Sequence, residues 1–349
     1  MDSALIGLHF AAAPAVAWGL RLIARGGSSG ALIPAICAGL LAVVVIESTL
    51  RWPGDVFGLL QGGCWLLFLY LPALSLGAAA LQRGLRRAIW GGVSALGLAV
   101  GIDAFLVEPA ALEVNTVYIS HPKLSAPMTL ALIADVQTDV VGDYEREAIQ
   151  RALDAEPDLI LFAGDYVQRE TREERLSEAA RFKEMLLTLD IQAPAFAVEG
   201  NMEHGWGWTA SFEGAPVTAL IEDSSVEVAG IQLSALTLRS SFDAAAQIPA
   251  SDRFHVALGH APDFALSPDV EADLLVAGHT HGGQVQIPFY GPPLTFSKVP
   301  RAWADGVTDL GDGRTLVVSR GVGLERRTAP RLRFFCRPEI VILELSPAR

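Results

Sequence analysis

Residues 278–284 read Gly278-His279-Thr280-His281-Gly282-Gly283-Gln284, and the apolar run Leu274-Leu275-Val276-Ala277 leads straight into them. An apolar run that stops at polar residues in a glycine-rich turn is how a strand end presents side chains to a crevice. Imidazole is the commonest metal-binding side chain, and glycine lets the backbone fold tightly around an ion. Alone, the two histidines are equally compatible with an ordinary loop. The same arrangement recurs upstream, however: 129–134 ends at Asp135, 159–163 at Gly164-Asp165, 195–198 at Gly200-Asn201 and 256–258 at Gly259-His260. In open α/β sheets, sites collect beyond the carboxyl ends of the strands, so these five ends can converge on one crevice. Between the first three, 144–156 and 172–189 carry the spacing of amphipathic helices, which makes a βαβαβ beginning. Farther on, 225–228 and 231–236 predict a hairpin joined near Gly230, with 315–319 and 340–345 as closing strands.

In this order, Asp135-Val136-Gln137, Gly164-Asp165, Gly200-Asn201-Met202, Gly259-His260 and Gly278 to His281 resemble the signature of the calcineurin-like metallophosphoesterases. That signature is Asp-x-His, Gly-Asp, Gly-Asn-His, Gly-His and Gly-His-x-His. The resemblance covers about residues 125–349, and the wording around 278–284, with Ser319-Arg320-Gly321 and Arg337-Pro338-Glu339, is similar to a membrane-associated branch. It implies an α/β fold, a two-sheet sandwich flanked by helices, over residues 126–349. It also implies two divalent metal ions. Asp165 would bridge them, Asp135, Gln137 and His281 would complete one site, and Asn201, His260 and His279 the other.

Two positions depart from the family. Gln137 stands where a ligand histidine is usual, and Met202 where a histidine usually serves as general acid or phosphate stabiliser. An amide oxygen is a neutral, harder ligand than imidazole, so the expected preference tilts from iron or zinc toward manganese or magnesium. Met202 cannot transfer a proton. Either His204, two residues on, takes that role, or the substrate has a good leaving group and needs no acid. Arg320 is favoured by the resemblance to hold a substrate phosphate, while Lys298 and Arg301 read equally as surface cations. Trp206, Trp208 and Phe212 are either an apolar wall for an acyl chain or base, or core. His255, alternating with apolar neighbours, reads as structural.

The chain has 349 residues, 51% of them hydrophobic, and a net charge of -13. The first 110 residues are nearly neutral and hold most of the apolar excess, so the acidity belongs to the rest. An acidic body repels nucleic-acid phosphates, which excludes nucleic acid as a partner. Cys37, Cys64 and Cys336 have no metal-knot or disulfide spacing and read as packing residues. A spanning helix needs about 20 apolar residues, and 4–22, 31–46, 56–81 and 88–107 qualify as candidates. Residues 1–110 are therefore expected to form an all-α transmembrane bundle of four helices, with 111–125 as a connector. Arg21 and Arg25, then Arg83, Arg86 and Arg87, make two basic loops that belong inside. This predicts a multi-pass protein of the plasma (inner) membrane with its catalytic domain outside the cytoplasm.

These readings converge on a membrane-anchored phosphoesterase acting on a phosphorylated small molecule or lipid near the bilayer. A lipid-linked pyrophosphatase and a non-catalytic binding module with a partly degenerate site are the alternatives. A zinc protease is disfavoured by the absence of an HExxH helix.

Overall fold

A computed structural model of the chain describes residues 56–348 and, before them, 14, 16–25, 32–33, 35–40 and 42. The candidate spans 4–22 and 31–46 thus lie partly outside the described residues. The chain divides into two compact units, one made of the segment up to Val107 with Arg327–Arg331, the other of Glu108–Arg326 with Leu332–Arg349.

Two helices among the described residues are long and apolar enough to cross a membrane: α1, Val56–Leu81, and α2, Gly84–Ala110. They pack through small residues. A Cβ at Gly97 would meet Pro72 Cγ at 2.9 Å, and one at Gly101 would meet Phe68 Cβ at 3.3 Å, so this four-residue glycine spacing permits close approach. The Ser94 hydroxyl donates to the Pro72 carbonyl at 3.0 Å, giving a buried polar group its partner.

The second unit is built on two six-stranded mixed sheets. The first contains β1 (Glu113–His121), β2 (Met128–Ile133), β3 (Leu159–Phe162), β4 (Ala195–Ala197), β5 (Thr218–Ala219) and β12 (Glu339–Pro347), in the order β1-β12-β2-β3-β4-β5. The second contains β6 (Ser224–Val228), β7 (Ile231–Ala235), β8 (His255–Leu258), β9 (Leu274–Ala277), β10 (Gly306–Gly311) and β11 (Arg314–Val318), in the order β10-β11-β9-β8-β7-β6. Strands β2, β3 and β4 are mutually parallel, as are β8 and β9, so within each sheet the ends carrying the polar residues share one edge. β6 and β7 form the expected antiparallel hairpin.

Strand periodicity decides which side chains meet. Leu130, Leu132, Leu159, Leu161, Val341 and Leu343 form a buried cluster with Leu233, Val256, Leu258, Leu274 and Val276 of the second sheet. Their neighbours Ala131, Ile133, Ile160, Phe162, Ile340 and Ile342 belong to another cluster, with Ile149 of α3 (Asp143–Leu153) and Phe182 of α4 (Arg172–Leu187). Alternation along each strand thus fills the sheet–sheet interior with one set and the sheet–helix layer with the other. Leu132 is fully buried, and truncating it to alanine would cost about 2–5 kcal/mol. A capping box starts α4: Thr171 Oγ1 accepts from Glu174 N at 3.2 Å and Glu174 Oε2 accepts from Thr171 N at 3.1 Å. Its inward residues Ala179, Phe182 and Leu186 follow the 3–4 spacing of one helix face.

Residues 111–125, expected as a connector, instead hold the nine-residue edge strand β1, paired in parallel with β12. Its side chains alternate between half-buried and exposed, and polar residues interrupt the apolar ones, so there is no apolar run to notice. The partner that makes it a strand lies at the far end of the chain.

Candidate metal centre

The polar residues at the ends of β2, β3, β8 and β9, and after β4, come together at one place. Ligand atoms of Asp135, Asp165 and His260 all lie within 4.8 Å of one another. Asp135 accepts the backbone N–H of His279 at 2.9 and 3.0 Å, which ties the end of β2 to the end of β9. Asn201 Oδ1 lies 2.8 Å from His260 Nε2 and 2.9 Å from His279 Nδ1.

The backbone is strained where these residues sit. Asp135, Gln137, Asp165, His279 and His281 all have φ between 37° and 70°, the left-handed region that side chains avoid. Two glycines make room for the close approach. A Cβ on Gly200 would stand 2.1 Å from Asp165 N and 2.2 Å from its Oδ1, and one on Gly278 would stand 2.4 Å from Asp135 Oδ2.

Whether this cluster fits cations can be decided from its hydrogen bonds. His260 Nδ1 faces the Ala163 carbonyl at 2.8 Å and His279 Nε2 faces the Phe296 carbonyl at 3.2 Å, so these nitrogens carry the ring protons. Burial lowers the His260 pKa to about 4. Burial, with the neighbouring His260, lowers that of His279 to about 3. Both rings are therefore neutral at pH 7, and their other nitrogens present lone pairs. Three acceptors, His260 Nε2, His279 Nδ1 and Asn201 Oδ1, then face one another with no proton between them. A cation satisfies such a set. Nearby residues show the same need: Gln137 Oε1 and His281 Nδ1 are buried and lack any hydrogen-bond partner.

The carboxylates agree. Burial pushes Asp165 up to about 8, against the pull of the Met202 N–H, and the nearby Glu325 charge pushes the same way. Burial, followed by the Asp165 charge, raises Asp135 well above the usual range. Two buried acids side by side hold a proton unless a positive charge replaces it. Burial also lowers the His281 pKa well below the ordinary value, with the Arg333 charge second.

Other residues singled out in the sequence sit elsewhere. The Arg320 guanidinium donates to Glu339 Oε2 at 2.7 Å and Glu113 Oε2 at 3.2 Å, and its backbone N–H also donates to Glu339. It lies in an ion network with these two carboxylates, beside Gly282 of the ligand turn. The His204 ring is 79% exposed, with Glu199 Oε1 3.8 Å from its Nδ1. Lys298 is exposed, and Arg301 lies over the Tyr290 ring at 4.1 Å. Trp206, Trp208 and Phe212 are core, packed in the cluster that also holds Phe162 and Phe182. His255 is buried, with Nε2 2.8 Å from Ser234 Oγ. Cys336 is buried and its thiol donates to the His281 carbonyl at 3.2 Å.

Two buried ionisable side chains that organise the centre had no signal in the sequence. Glu203 is fully buried, and its carboxylate accepts four backbone N–H bonds, from Asp165 (2.8 Å), Tyr166 (2.8 Å), Gly200 (3.1 Å) and Val167 (3.3 Å). It clamps the loop after β3 to the loop after β4. Arg333, also fully buried, donates to the carbonyls of Arg320, Gly321, Gly323 and Cys336. That fixes the segment whose Gly323 N–H donates to the Asp135 carbonyl at 2.7 Å. A charged residue in a polar loop reads as solvated, and no periodicity marks it as interior.

The fold and centre define a two-sheet α/β protein with a candidate divalent-metal centre at its strand ends. Residues 128–283 match the calcineurin-like phosphoesterase family. The chain is 31% identical over 210 residues to an uncharacterized metallophosphoesterase of Bacillus subtilis, YkuE, covering 55% of this chain and 69% of that protein. It is 30% identical over 239 residues to the phosphodiesterase YaeI of Escherichia coli, covering 63% and 83%. A metallophosphoesterase of Campylobacter jejuni, Cj0846, is 24% identical over 249 residues, covering 67% and 63%. The chain belongs to the calcineurin-like phosphoesterase family.

Proposed function

We propose that this protein is a membrane-anchored, metal-dependent phosphoesterase that hydrolyses a phosphoester on a molecule held near the bilayer. The observation that carries the catalytic reading is the facing of three lone pairs, from His260 Nε2, His279 Nδ1 and Asn201 Oδ1, beside two buried carboxylates. Asp135, Gln137 and His281 would hold one ion and Asn201, His260 and His279 the other, with Asp165 contributing to both. When bound, a divalent pair supplies charge neutralisation of the phosphoryl oxygens and a hydroxide nucleophile at neutral pH. Manganese is favoured over magnesium, zinc or iron because Gln137 offers an amide oxygen where imidazole is usual. His204 is assigned as proton donor to poor leaving groups, being on the same loop as Met202 and in exchange with solvent.

The membrane reading rests on α1 and α2, on the two further apolar segments upstream and on the arginine-rich loops. These support the reading of a multi-pass anchor in the plasma membrane with the catalytic unit outside. The loop beyond His281 supports a lipid-proximal substrate. Ile287, Phe289, Tyr290 and Leu294 are all exposed on it, and from Leu274 to Ala304 the chain has no acidic residue, only Lys298 and Arg301. In a chain of net charge -13, a cationic and apolar loop beside the centre suits an anionic lipid surface.

The test is a panel of aryl and alkyl phosphomonoesters, phosphodiesters, pyrophosphates and glycerophospholipids, given to the detergent-solubilised chain with and without added manganese. Manganese-stimulated turnover that disappears in Asp165→Ala supports the reading. His204→Ala should slow alkyl esters by about 100-fold or more and spare aryl esters. Manganese binding with no turnover of any substrate would favour the non-catalytic alternative.

A further inference from the structure

Gln137 occupies the position where imidazole is usual, and a carboxamide has two chemically different ends. One end binds a cation and the other repels it, so the position works only if the amide is held the right way round. Its Nε2 donates to Gln168 Oε1 at 3.0 Å and to Glu325 Oε2 at 3.1 Å. A carboxylate accepts and cannot donate at neutral pH, so the end facing Glu325 must be the NH2 group. The opposite end, Oε1, is left buried and without a partner.

Glu325 is itself held from several sides. Its other oxygen accepts from Gln168 Nε2 at 2.6 Å, and its backbone N–H donates to Gln284 Oε1 at 2.7 Å. Gln168 Oε1 also accepts the Arg326 N–H at 2.8 Å, which fixes that amide in turn. Segments following β2, β3, β9 and β11 thus meet in one polar cluster, in which Gln137 Oε1 is left buried without a partner.

We propose that Glu325 is a positioning residue for the metal centre, locking the Gln137 carboxamide so that its oxygen faces the cation. The arrangement reproduces, with an amide, the carboxylate–histidine–metal relay in which a carboxylate behind the ligand fixes its orientation and raises its basicity. A negative charge behind the NH2 group polarises the amide and strengthens the oxygen as a donor. The proposal rests on the two-cation reading above and adds to it a residue that touches no ion.

The test is manganese binding to the purified full chain, followed by loss of the free-ion electron paramagnetic resonance signal, with calorimetry for affinities. The wild type should take up two ions. Glu325→Ala should weaken one of them by about 10–100-fold and leave the other unchanged. Glu325→Gln, which keeps the shape and can face Gln137 with either end of its own amide, should weaken the same ion. It carries the test if the alanine variant fails to fold. In a Gln137→Ala background, removing Glu325 should have no further effect on affinity, because the two residues act as one. Unchanged affinity at both ions in both Glu325 variants, or additive losses in the double variant, overturns the proposal while leaving the two-cation reading intact. Uptake of fewer than two ions by the wild type overturns both.

Discussion

Replacing Glu203 by alanine tests the claim that one buried carboxylate builds the centre. It is fully buried and accepts N–H bonds from Asp165 and Tyr166 at 2.8 Å, from Gly200 at 3.1 Å and from Val167 at 3.3 Å. Each buried donor left without a partner costs about 1–3 kcal/mol. The four costs do not add fully, because the two longer bonds are weaker and water can enter the space vacated. About 3–5 kcal/mol is the expected loss, less than the full sum of four such costs. Against a total stability of roughly 5–15 kcal/mol, the variant still folds. For a domain of this size its melting temperature should fall by roughly 6–20 °C. The second consequence is local. Asp165, at φ 55°, and Gly200, next to Asn201, are both held by this carboxylate, so both cation sites should weaken together. Calorimetric melting of the metal-free chain and manganese titration of the same samples measure the two effects. A loss below about 1 kcal/mol, or wild-type affinity for both ions, would refute the reasoning.

Gly200→Ala should be worse for activity than its one added methyl suggests. The new Cβ would stand 2.1 Å from the Asp165 backbone nitrogen, forcing two loops apart, and a phosphoesterase assay should show at least a 100-fold loss. Gln137→His should convert the centre toward firmly held zinc or iron, read by metal analysis of protein purified without added manganese. The metal-free chain should also lose stability as pH rises from about 6.5 to about 8. Asp165, raised to about 8 from roughly 3.9 in the unfolded chain, keeps a proton in the folded state that the unfolded state has released. His260 and His279, lowered to about 4 and about 3, act oppositely, but only below about 6.5, where the unfolded chain protonates them. Melting with chelator across this range should show the decline and manganese should remove it. A flat or rising metal-free curve would contradict the assignment.

The sequence alone made the strand ends visible. Runs such as Leu159 to Phe162 and Leu274 to Ala277 are apolar on both faces because each strand is buried on both sides, and each run stops where a polar residue begins. It also set the fold class, since strand and helix periods differ and the order of the runs is explicit. Edge strand β1 escaped because half of its side chains face solvent, and the ion network of Arg320 was hidden because nothing nearby in the chain shows that Glu339 and Glu113 face it.

Tertiary structure alone decided which polar groups lack partners. That Gln137 Oε1 and His281 Nδ1 are unpaired, that three acceptors face one another at Asn201, and that Glu203 and Glu325 accept hydrogen bonds from distant loops all depend on distances between segments far apart in the chain. A sequence shows where a strand ends. Hydrogen bonding and burial depend on what stands opposite that end, and packing the two sheets together is what brings the opposite group there.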